Sequence, residues 1–82
     1  MTQQRLPAAE RKKQILRAAI RVFSRRGFHG ATTKQIAAEA GVAEALLYRY
    51  FESKHDLFVS SVRVTSDRIL RALNQILEDN AD

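Results

Sequence analysis

The stretch TTKQIAAEAGVAEALLYRYFESKHD, residues 32–56, decides the fold. Thr32 followed three residues later by Gln35 is a capping box, in which each side chain satisfies a backbone N–H that the first helical turn leaves unpaired. It predicts a helix over Thr33–Ala40 that buries Ile36, Ala37 and Ala40, with Gly41 as its stop. The apolar pattern resumes at once with Leu46, Leu47, Tyr50 and Phe51, predicting a further helix from Ala43 or Glu44 to Phe51. Two short helices about a tight turn are a helix-turn-helix. Ser53 with Asp56 repeats the capping signal and opens a third helix of this stretch. Its pattern can run from Lys54 to about Glu78, roughly 37 Å at 1.5 Å per residue.

Upstream, Ile15, Ala19, Val22 and Phe23 fall at i, i+4, i+7 and i+8, the apolar stripe of a helix over Ala8–Arg26. Pro7 suits its first turn. Gly27 fits the left-handed position after its end, where Phe28 can fold back onto the last turn. Downstream, Leu57, Phe58 and Val62 are expected to close a core with Ile15, Ala19, Phe23, Ile36 and Leu47. Ile69, Leu70, Leu73, Ile76 and Leu77 share a face beyond the reach of the three short helices. Contiguous apolar surface of that kind marks an interaction site. The expected architecture is all-α: a three-helix bundle with a homeodomain-like helix-turn-helix, followed by a long fourth helix whose apolar end needs a partner or a second domain. Residues 1–8 read as a flexible basic arm, 9–53 as the head and 54–82 as the linking fourth helix.

Charge divides the chain. Met1 to Lys34 holds nine basic residues and one acid, a sum of +8, whereas Gln35 to Asp82 holds five basic residues and eight acids, a sum of −3. Lys13, Arg17, Arg21 and Arg25 recur every four residues on one helix face, and like charges at that spacing cost about 1 kcal/mol over three pairs. A polyanion would offset this, as would acids placed nearby by the fold; a solvated face is the plainer reading.

The inventory excludes other classes. With no cysteine there are no disulfides or thiolate metal sites. The two histidines, His29 in a predicted turn and His55 on the first turn of the fourth helix, are not placed to serve a nucleophile or, beside Asp56, to complete a zinc site. No catalytic, metal or cofactor residues are assigned. No apolar run approaches a membrane span, and MTQQRLPAAERKKQ lacks a signal-peptide core; a cytoplasmic protein is expected.

Nucleic-acid binding fits better. A helix-turn-helix offers its second helix to the major groove, and small Ala43 and Ala45 allow close approach there. Tyr48, Arg49 and Tyr50 are typical phosphate donors, and at i, i+2 the two tyrosines cannot both point inward. Thr33 with Lys34, and Lys54, stand at helix starts where backbone N–H groups favour an anion.

With these residues in view, ILRAAIRVFSRRGFHGATTKQIAAEAGVAEALLYRYFESKHDLF, residues 15–58, closely resembles the DNA-binding head of the TetR family of bacterial transcriptional repressors. The marks stand in order: Ile15, Ala19, Phe23 and Gly27; Thr32-Thr33; Ile36-Ala37; Ala40-Gly41-Val42; Leu47-Tyr48; Tyr50-Phe51; and Lys54 followed by an acid and Leu57. The resemblance implies a homodimer on a palindromic operator of double-stranded DNA, acting at the nucleoid, with a small-molecule effector bound in a C-terminal domain. It implies phosphate contacts from Thr33, Tyr48, Arg49, Tyr50 and Lys54, and base readout from Lys34, Ala43, Glu44, Ala45 and Leu46.

Three positions depart from the family pattern. Ala43 is often a capping Ser or Thr, Glu44 often Lys or Gln, and Leu46 often Thr or Ser. The reading tip is therefore apolar and acidic, suited to thymine methyls from Ala45 and Leu46, with Glu44 either accepting from a cytosine amine or complementing the helix dipole. Family members are longer, so the chain is expected to be an isolated head without a complete effector pocket. Two other classes compete: a membrane-surface protein using the first helix as a basic amphipathic element, and a protein-interaction module docking through Ile69 to Leu77.

Overall fold

The computed structural model describes residues 7–80. They form four helices, α1 (Ala8–Gly30), α2 (Thr33–Ala40), α3 (Glu44–Tyr50) and α4 (Lys54–Asp79). Of the arm expected over residues 1–8, the first six lie outside the described residues, and Ala8 already belongs to α1.

The capping box at α2 has both halves: Gln35 N donates to Thr32 Oγ1 at 3.0 Å, and Thr32 N donates to Gln35 Oε1 at 3.1 Å. At the other end Gly41 takes φ 74° and ψ 30°. Its N–H reaches the Ala38 carbonyl at 3.1 Å, and that of Val42 reaches Ala37 at 3.0 Å. This Schellman closure requires a positive φ that costs glycine nothing. Ahead of α4, Ser53 Oγ accepts from Asp56 N as expected, but the Asp56 carboxylate reaches past Ser53 to the Glu52 N–H at 3.0 Å.

Gly27, at φ 71° and ψ 177°, breaks α1, and a last helical turn runs on to Gly30, past the expected end at Arg26. The break folds Phe28 back onto Phe23 with centroids 6.2 Å apart, while Phe58 from α4 meets both rings edge-on at 5.2 Å. Around this cluster Ile15, Ala18, Ala19, Ala31, Ile36, Leu47 and Leu57 are fully buried, and Phe51 nearly so.

One expected core residue is out of place. Val62 is 48% exposed and lines a shallow groove with Ile20, Phe23 and Phe58. The phase of α4 turns Leu57, Ser61 and Val64 inward instead, at i, i+4 and i+7. Ser61 is tolerated there because its hydroxyl donates to the Leu57 carbonyl at 2.7 Å, leaving no unpaired polar atom.

Long-range polar contacts fix α1 on α2. Gln14 Nε2 donates to the Ala40 carbonyl at 2.8 Å, capping the C-terminal end of α2. Glu39 takes Arg21 Nε at 3.0 Å on one oxygen and an Arg25 guanidinium nitrogen at 2.9 Å on the other. The basic stripe of α1 is thus partly neutralised within the fold. These two guanidinium hydrogen bonds, Arg21 first, hold the Glu39 carboxyl below the ordinary glutamate range.

The far end of α4 stands alone. Ile69, Leu70, Leu73, Ile76 and Leu77 are each more than half exposed, as their position on the rod requires. The radius of gyration is accordingly 15.3 Å, against about 12 Å for a compact chain of this length. No described helix is long and apolar enough to cross a membrane.

The phase of α4 is tested by denaturant unfolding: Leu57→Ala costs about 3 kcal/mol, whereas Val62→Ala costs less than about 1 kcal/mol. Equal losses would place Val62 in the core. Because the Glu39 pKa is lowered in the folded state, its stabilisation is present above the unfolded carboxyl pKa and disappears as pH falls through the folded one. Glu39→Gln is therefore expected to lower Tm at neutral pH, and wild type and variant converge on acidification. A Tm difference independent of pH would remove the two arginine contacts from the account.

Candidate nucleic-acid interface

α3 is seven residues long, and Leu47 is its one buried residue. Ala43, Glu44, Ala45, Tyr48 and Arg49 face solvent, with Leu46 and Tyr50 half-buried. The helix is therefore anchored along one edge and offered to solvent along the rest. Ala43 stands at its N-cap without a side-chain bond, as its residue type dictates.

The expected phosphate donors divide by environment. Tyr48 is 47% exposed, while Tyr50 packs partly against the core, so one tyrosine of the pair does face outward. Arg49 and Lys34 are exposed, and neither joins an ion pair among the described residues. Thr33 is buried at the start of α2 with its hydroxyl already engaged. Thr33 Oγ1 lies 2.6 Å from Glu44 Oε2 and 2.8 Å from the Tyr48 hydroxyl. One phosphate candidate from α2, one from α3 and one base-reading candidate are thus a single hydrogen-bonded group.

Lys54 has a second occupation. Its Nζ donates to the carbonyls of Phe28 and Ala31, at 2.8 and 3.0 Å, and lies 4.5 Å from the Phe28 ring centroid. An ammonium has three donors, so this lysine pins the α1–α2 corner to the start of α4 and keeps one N–H for another acceptor. Among the described residues, then, the structure brings together Thr33, Glu44 and Tyr48 and leaves Arg49 and Lys34 free. It gives Lys54 a structural task that no sequence signal announced, since its acceptors lie 26 and 23 residues away.

The basic stripe of α1 is similarly divided. Arg21 and Arg25 hold Glu39, whereas Lys13 and Arg17 join Arg68 and Arg71 of α4 around a groove floored by Leu16, Ile20 and Val64. From α2, α3 and the start of α4, Lys34, Arg49 and the third N–H of Lys54 remain for a polyanion, and Lys12 of α1 lies over the Phe51 ring at the end of α3 with no ion pair among the described residues.

Known proteins resemble this chain in sequence and fold. The HTH-type transcriptional activator FasR of Mycolicibacterium smegmatis is 38% identical over 78 residues, 95% of this chain and 36% of FasR. The HTH-type transcriptional regulator RutR of Escherichia coli K12 is 44% identical over 71 residues, 87% of this chain and 34% of RutR. The chain thus spans about a third of the length of the curated relatives it matches. The crystal structure of a TetR-like transcriptional regulator from Rhodococcus sp. RHA1 superposes with a TM-score of 0.83 at 42% identity, covering 87% of this chain and 39% of that one. Residues 15–60 match the family described as bacterial regulatory proteins, tetR family. That match takes in α2, α3 and most of the packed part of α1, and the chain belongs to the TetR family of bacterial regulatory proteins.

Proposed function

We propose that the chain is the DNA-reading part of a transcriptional regulator that acts in the bacterial cytoplasm, at the nucleoid, as a homodimer on a palindromic operator. One observation carries the reading: α3 is seated by Leu47, with Leu46 and Tyr50 half-buried beside it, and presents Ala43, Glu44, Ala45, Tyr48 and Arg49 to solvent, braced by α2. A major groove about 12 Å wide accepts a helix so presented. Thr33, Tyr48, Arg49, Tyr50 and Lys54 take phosphates in this reading. Lys34, Ala43, Ala45 and Leu46 meet base edges, joined by Glu44 once it leaves Thr33. Two heads would enter grooves about 34–36 Å apart.

Control by a small-molecule effector in a C-terminal domain belongs to the same proposal, and Ile69 to Leu77 offer the apolar face against which such a domain would pack. Repression rests on the family resemblance, and FasR is described as an activator. Operator binding is common to both outcomes, and the operator's position relative to the promoter sets the direction. The membrane-surface alternative is the weaker reading, because Ile15, Ala19, Val22 and Phe23 on the apolar side of α1 are committed to the core.

Mobility-shift titration against randomised duplexes tests the proposal. Log affinity should fall linearly with log salt, at about −0.9 per neutralised phosphate. Arg49→Ala should weaken binding to all duplexes alike and reduce the slope by about 1, with Tm unchanged. Lys54→Ala should also weaken all duplexes alike, and in addition lower Tm by about 5 °C, because it strips two carbonyl bonds from the corner. Affinity indifferent to salt would overturn the reading.

A further inference from the structure

The group formed by Thr33, Glu44 and Tyr48 has a direction. Thr33 owns one hydroxyl proton, and an ionised carboxylate only accepts. The 2.6 Å separation of Thr33 Oγ1 from Glu44 Oε2 is the length of a charge-assisted O–H···O⁻ bond, so the threonine proton lies on the glutamate side. The 2.8 Å contact with Tyr48 must then be donated by the phenol. Tyr48 donates to Thr33, and Thr33 donates to Glu44. Neither hydroxyl has a second proton to offer, and the relay ends on an anion.

The geometry points to Glu44 as an internal stand-in for a DNA phosphate oxygen, a carboxylate that holds the Thr33 hydroxyl, at the end of the Tyr48–Thr33 relay, until the duplex displaces it. The inference rests on the reading of Thr33 and Tyr48 as phosphate donors. Docking exchanges one anion for another: the Thr33 proton passes from Glu44 to a phosphate oxygen, and the carboxylate is turned out at the first turn of α3. There it lies among phosphates that repel it, unless a base edge supplies a donor. In the major groove the cytosine amine is such a donor. Every duplex must break the bond between Thr33 and Glu44, and only one with cytosine at the right position replaces it. Glu44 thereby acts as a specificity-determining residue by making unmatched sequences costly, which is one of the two routes to discrimination.

The experiment uses the whole chain and a short duplex of arbitrary sequence at fixed salt. Glu44→Gln keeps the shape and removes the charge, and it should raise affinity for this duplex about tenfold, the equivalent of one charge-assisted hydrogen bond. In a Thr33→Val background the same change should raise affinity by clearly less, because the Thr33 bond is already gone and only the repulsion between the carboxylate and the phosphates is left to relieve. An equal gain in both backgrounds would mean simple loss of a negative charge and would overturn the inference while leaving DNA binding intact. Selection from randomised duplexes gives a readout that does not depend on the valine variant folding: wild type should prefer cytosine at one position and Glu44→Gln should lose that preference. Retention of the preference also overturns the inference. Failure of wild type and Glu44→Gln alike to bind any duplex would instead overturn the DNA-binding reading, and this inference with it.

Discussion

A helix of seven residues does not hold itself together in water, where isolated helices shorter than about 12–15 residues are marginal. α3 exists because Leu47 is fully buried and because Phe51, just past its end, is buried too. Everything proposed for its outward side depends on that anchorage: the spacing of Glu44, Ala45, Tyr48 and Arg49 is the spacing of a helix only while Leu47 is seated. The economy of this arrangement explains why α2 is so fully specified at both ends. With one buried residue of its own, α3 takes its orientation from its neighbours, and the capping box at Thr32 and the Gly41 closure hold the adjoining helix at a definite length and exit direction.

Most of this was legible in the sequence because it is local. The bounds of α2 follow from Thr32, Gln35 and Gly41, whose partners lie within five residues, and the apolar face of Ile69 to Leu77 follows from periodicity alone. Helical phase along α4 was not legible. Leu57, Phe58 and Val62 look equally fit for a core, and only packing against α1 chooses Ser61 over Val62. A serine at a core position contradicts a simple hydrophobic pattern until its bond to the Leu57 carbonyl is seen.

The candidate site was legible by residue type and not by partnership. Thr33, Glu44, Tyr48 and Lys54 were identifiable as helix-start and reading-helix residues, but the bonds that occupy them span 11 to 26 positions. Such contacts come from how helices cross, which no local signal encodes. The same holds for charge. A stripe of cations on α1 is visible in one dimension, whereas the single carboxylate of Glu39 that holds two of them comes from another helix. The net charge of +5 therefore overstates the field available to a ligand and says little about where it is strongest.

The solitary end of α4 has a consequence for how the molecule unfolds. Val64 is the last residue of α4 packed against the core, and beyond it the helix has only its own backbone bonds and a few local contacts, such as Gln75 with Asp79. Fifteen residues held in that way are close to the helix–coil midpoint. Amide exchange along α4 should consequently report two different processes. Before Val64, protons are protected by global unfolding of the head; after it, by fraying that proceeds while the head stays intact. Surface that is already open in the native state adds nothing to the denaturant dependence, so the cooperative transition belongs to a unit smaller than the chain.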